Sequence, residues 1–137
     1  MSYISVAIGG FLGAVARYYL TTLPWEKAGN GFPWGTLLVN LTGCLFLGFF
    51  LAVAIKLLIS HAYLVTGLSS GFTGAYTTFS TFNLDTLHLI QAGRTSMALL
   101  YVLISAGGGL LLIWAGDRAG SVVLSPGGVF PLAQEEK

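Results

Sequence analysis

Apolar residues gather into four long blocks, and the polar breaks between them are short. The first block runs over 4–23, from Ile4 to Leu23, and closes at Pro24 and the loop Trp25 to Phe32. The second covers 34–55 and stops at Lys56. The third spans 62–90 before "QAGRT", and the fourth runs over 97–115 and ends at Asp117 and Arg118. A bilayer core is crossed by about 20 helical residues rising ~1.5 Å each. The pattern therefore predicts an all-α integral membrane protein with a four-helix transmembrane domain over 1–118. The Gly/Pro-punctuated residues 119–137 read as a surface tail or a partly disordered one.

Composition sharpens this picture. Of 137 residues, 55% are hydrophobic and 8% charged, against roughly a quarter charged in an ordinary soluble domain. A formal net charge of +1 excludes nucleic acid as a partner, because phosphate binding needs a clustered basic surface. No Lys or Arg precedes the first apolar run, and no small-residue cleavage site leads into a soluble domain. That run is expected to remain as a span rather than to act as a cleaved signal. Cys44 is the single cysteine, so no disulfide forms within the chain, and its simplest role is a small apolar residue.

Loop charge leaves the orientation balanced. Lys56 and Arg118 fall on the side of the N-terminus, and Lys27 and Arg94 fall on the other. Lys and Arg bias normally fixes which loops stay cytoplasmic. A chain without that bias is expected to insert in both orientations, and two oppositely inserted copies form an antiparallel dual-topology homodimer. Four short helices enclose little space, so a second copy would also complete any internal site.

Polar side chains inside apolar spans are costly, and they face a partner, a cavity or an ion path. In "GGFLGAVARYY", Gly9, Gly13 and Arg17 share one stripe. The glycines suit close helix packing, while Arg17 must snorkel, pair, or present its charge to something anionic. In "GTLLVNLTGCLFLG", Asn40 offers its amide either to another helix or to an ion, and residue type does not choose between them. Tyr101, Ser105 and Gly109 follow one another at i+4 and share a face, which serves as a packing seam or a polar track.

The third block departs most from a simple span. Within "GFTGAYTTFSTF", Gly71 and Gly74 allow unusual backbone angles, and Thr77, Thr78, Ser80 and Thr81 can bond nearby backbone groups. The helix is expected to break here. Such breaks survive at membrane depth only when protein or a water-filled site satisfies the freed groups, and the freed carbonyls could coordinate a small hard cation. If helix resumes by Thr78, Phe79 and Phe82 share a face with it, and their positive ring edges can wall a path for a small anion.

These three stretches together resemble the signatures of the fluoride-channel family (Fluc), in order, across three of the four spans. The resemblance implies an antiparallel homodimer in a prokaryotic cell inner membrane that exports fluoride passively and lowers cytoplasmic fluoride. It implies a pore formed by Asn40, Phe79, Phe82, Thr81, Tyr101 and Ser105, with Arg17 matching the first-helix arginine. It also implies a structural sodium ion at the dimer centre, held by the backbone carbonyls of Gly74 and Thr77. Asp85 stands where a glutamate is common in that family, and Gly109 where some members carry another hydroxyl.

Three rival readings explain less. A small multidrug-type dual-topology transporter needs an acidic residue in its first span, where this chain has Arg17. A membrane enzyme would have to use Asp85, His88 and His61, but the two histidines lie at opposite ends of the third block and no HExxH pattern is present. A non-conducting structural subunit accounts for the glycines but not for the Asn, Phe and hydroxyl constellation.

Overall fold

The computed structural model describes residues 2–25, 31–58 and 61–124, and all of its regular structure is helical. Helix α1 covers Ser2–Thr21 and α2 covers Trp34–Leu57. A short α3 (Ala62–Thr66) leads into a π-helical segment, Gly67–Thr73, followed by α4 (Gly74–Tyr76), α5 (Phe79–Gln91) and α6 (Thr95–Val123). Among the described residues three helices, α1, α2 and α6, are long and apolar enough to cross a membrane. The chain is a helical membrane protein.

Local chemistry explains the ends of the elements. Pro33 stands just before α2, where its missing N–H costs nothing. Between α5 and α6, Gly93 takes φ +73°. Its N–H donates to Ile90 O at 2.9 Å, and the N–H of Arg94 donates to Leu89 O at 2.9 Å. This paired pattern caps a helix through one left-handed residue, and glycine adopts that conformation without strain.

Two seams of small residues set the packing. Helix α2 lies along α6, and α1 lies along the π-helical segment. A Cβ at Gly9 would strike Gly67 O, and one at Gly13 would strike Phe72 O, so both glycines let α1 touch backbone directly. On the other seam, a Cβ at Gly48 would strike Ile113 O, and one at Gly116 would strike Leu45 O.

The third block is interrupted, as its sequence predicts, and one boundary elsewhere differs from the expectation. Its helical path changes register over Gly67–Thr73 and then stops at Tyr76, where Thr77 (φ −80°, ψ 158°) and Thr78 (φ −148°, ψ 116°) are extended. Helix α6 runs past both 115 and the expected start of the tail at 119, because Gly120 packs against Ala52 and Phe49 O of α2. The rest of the tail, 125–137, and Lys27 lie outside the described residues.

Candidate functional site

The interruption at Thr77–Thr78 is held from α2. Asn40 Oδ1 accepts the backbone N–H of Thr78 at 2.8 Å, and Asn40 Nδ2 donates to the Thr78 carbonyl at 3.1 Å. One side-chain amide thus satisfies both backbone groups of an extended residue, which is what membrane-depth irregularity requires. The Thr78 hydroxyl then caps the next helix, accepting the N–H of Thr81 at 3.2 Å and donating to the Thr81 hydroxyl at 2.9 Å.

Before the interruption, Thr77 N–H bonds Thr73 O at 3.0 Å, and the Thr77 hydroxyl reaches the same carbonyl at 3.0 Å. From α1, Arg17 Nη1 donates to Thr77 O at 3.4 Å. The arginine therefore gives a hydrogen-bond donor to a part-buried carbonyl at the break. From α2, the Thr42 hydroxyl meets the Tyr76 hydroxyl at 2.8 Å. Both α1 and α2 thus hold the interrupted segment.

A cavity of about 350 Å³ opens beside this clamp. Asn40, Gly43, Cys44 and Leu47 line it from α2, Thr73 and Thr77 to Phe79 and Phe82 from the interrupted segment, and Ser105 with Ala106 from α6. Most of the wall is apolar, and its polar atoms are few and convergent, as in a selective small-ligand site. Ser105 Oγ is buried and has no hydrogen-bond partner among the described residues. A buried hydroxyl without a partner carries a desolvation penalty that a bound polar species or water would relieve.

The two phenylalanines occupy different settings. Phe79 is 77% exposed, whereas Phe82 packs against the buried cluster of Phe32, Leu37, Leu89, Ala98 and Tyr101. Their ring centroids are 5.9 Å apart, and Phe82 lies 5.1 Å from Tyr101, itself fully buried and 5.5 Å edge-on from Phe32. The Tyr101 hydroxyl approaches Asp85 Oδ2 at 3.5 Å. A continuous aromatic row thus leads from the interruption toward the start of α2.

Of the residues singled out from sequence, Asn40, Thr77, Phe79, Phe82 and Ser105 meet at one cavity. Thr81, Tyr101, Arg17 and Gly74 do not line it: Thr81 is taken up by the cap, Tyr101 lies behind Phe82, and Arg17 and Gly74 sit at the break. Sequence reasoning missed Thr73 and the lining role of Thr78, although Thr78 and Thr81 at i, i+3 form a capping pair. Among the described residues no three His, Cys, Asp or Glu side chains come together to hold a metal, so Asp85, His88 and His61 do not build such a centre.

Comparison with known proteins agrees with the motifs. The family model described as "CrcB-like protein, Camphor Resistance (CrcB)" matches residues 4–117. The chain belongs to the CrcB-like family. Among curated CrcB-like relatives, "Fluoride-specific ion channel FluC 1" of Moorella thermoacetica is 43% identical over 116 residues, covering 85% of this chain and 83% of the relative. "Fluoride-specific ion channel FluC" of Acidobacterium capsulatum is 40% identical over 129 residues, covering 91% and 100%. "Fluoride-specific ion channel FluC 1" of Bacillus cereus is 42% identical over 125 residues, covering 89% and 85%.

Proposed function

We propose that this chain is a fluoride-selective channel that lets fluoride leave the cell passively and so lowers cytoplasmic fluoride, with no covalent chemistry. The observation that carries this reading is the cavity where the unpartnered Ser105 hydroxyl, the Asn40 amide and the Phe79 and Phe82 rings converge. Fluoride is small and strongly hydrated, so a path for it must replace water with close donors and still release the ion. Hydroxyls, one amide N–H and positive ring edges offer several weak contacts of that kind. The names of the relatives, each a fluoride-specific ion channel, support the same ion.

The working form in this reading is an antiparallel dual-topology homodimer in the cell inner membrane. The high exposure of Phe79 supports a second copy, since its ring forms a cavity wall on one side only. Thr81, Tyr101 and Arg17 then act around the path: Tyr101 backs Phe82, Thr81 fixes the cap, and Arg17 supplies positive charge near the break.

The residues at the break also fit the structural sodium ion. Helical bonding ends near Tyr76, the carbonyls left at that end carry partial negative charge, and oxygen donors suit a hard cation. Gly74 and Thr77 would hold the ion through their carbonyls, with matching ones from the second copy. The Arg17 charge beside Thr77 O opposes a further cation, and the pooled carbonyls must outweigh it.

The reading is tested by expressing the chain in a bacterium made fluoride-sensitive by removal of its own exporter. Growth in fluoride medium restored by the intact chain supports it, and growth no better than with an empty vector contradicts it.

A further inference from the structure

Helical bookkeeping at the break gives Asn40 a second role. In a continuing α-helix the carbonyl of Gly74 would accept the N–H of Thr78, four residues on. That N–H is instead bound to Asn40 Oδ1 at 2.8 Å. The preceding bond in the series, Thr77 N–H to Thr73 O, is intact at 3.0 Å. Helical bonding therefore stops at the one residue whose donor Asn40 removes. Gly74 is exposed, and among the described residues no other element packs within 4 Å of where its Cβ would stand.

We propose that Asn40 is a positioning residue for the cation site: by capturing the Thr78 N–H, it frees the Gly74 carbonyl to bind sodium. This rests on the channel and sodium reading above. It separates two functions of one amide. The Oδ1 acceptor builds the cation site, while the Nδ2 group, bonded to Thr78 O at 3.1 Å, has a second N–H to offer at the cavity that Asn40 lines. Loss of the acceptor lets Thr78 N–H return to Gly74 O and extends α4 across the break.

The side-chain oxygen distinguishes the variants. Asn40→Asp keeps an acceptor for Thr78 N–H but places negative charge beside the anion path. Asn40→Ala keeps neither group. The full chain in detergent is titrated with sodium against N-methylglucamine while its thermal unfolding is followed, and fluoride efflux is measured in parallel. The unaltered chain is expected to gain stability with sodium, Asn40→Asp to keep that gain while losing flux, and Asn40→Ala to need about tenfold more sodium, in line with one lost hydrogen-bond partner.

An equal sodium response in Asn40→Ala and the unaltered chain overturns the positioning role alone. No sodium response in the unaltered chain overturns the cation site and this role together, while its fluoride flux still reports separately on the channel reading. Should Asn40→Ala fail to assemble, the carbonyl 13C shift of Gly74 in the unaltered protein decides. A shift that moves on exchanging sodium for N-methylglucamine supports the freed carbonyl, and a shift that stays fixed overturns it.

Discussion

The ring of Tyr101 lies 5.1 Å from that of Phe82, so a fully buried aromatic on α6 backs an aromatic that lines the cavity. Phe82 is held by the core on one face and faces the proposed ion path on the other. Phe82→Ile keeps apolar volume and removes the positive ring edge. With aromatic contacts contributing about 0.5–1.5 kcal/mol, fluoride flux should fall by roughly tenfold while the protein stays assembled by size-exclusion chromatography. Unchanged flux in this variant would remove Phe82 from the path.

The seam between α1 and the π-helical segment predicts a contrast between neighbouring glycines. A Cβ at Gly9 would meet Gly67 O and, at 2.9 Å, the backbone nitrogen of Phe72, whereas a Cβ at Gly10 meets only Gly71 O at 3.9 Å. Gly9→Ala should destabilise the protein by about 2 kcal/mol, in the range of overpacked cores, and Gly10→Ala by less than about 0.5 kcal/mol. Thermal unfolding in detergent checks the pair. Equal midpoints would mean that α1 does not rest on that backbone.

An antiparallel pair makes a geometric prediction about the exposed face around Phe79. Cysteines placed singly near opposite ends of α5, in a Cys44→Ala background, should crosslink between copies only in combinations that run head to tail. Disulfide formation followed on non-reducing gels reads this. Crosslinks found only between equivalent ends of parallel copies would rule out the antiparallel arrangement.

How far the sequence foretold this structure differs by element. Helices α1, α2 and α6 were legible because long apolar runs bounded by Pro24, Lys56 and Asp117 admit little else. The break in the third block was legible as a region that includes Thr77 and Thr78, but the part played by the glycines was not. Gly71 lies in the π-helical segment and Gly74 has ordinary helical angles, φ −63° and ψ −33°, so neither glycine turns the chain. A Cβ at Gly71 would meet Val6 O at 2.8 Å, which makes close approach to α1 the use of that glycine. The turn falls at Thr77–Thr78 because the Asn40 amide, from a different helix, stands ready for the Thr78 backbone. No local pattern encodes a partner that distant in sequence.

The site was legible in its residue types more than in their arrangement. Asn40, Phe79, Phe82 and Ser105 do share a cavity, yet Thr78 lines it and Thr81 does not, although both hydroxyls are joined in the cap of α5. Sequence spacing gives the face of a helix, but not which of two neighbouring threonines at a helix start reaches a cavity.

The most direct measurement is ion efflux from liposomes holding the purified full chain, read with a fluoride electrode and repeated with chloride as the internal anion. The account predicts rapid loss of fluoride and retention of chloride. Retention of fluoride by liposomes containing folded protein, or loss of both anions alike, would contradict it.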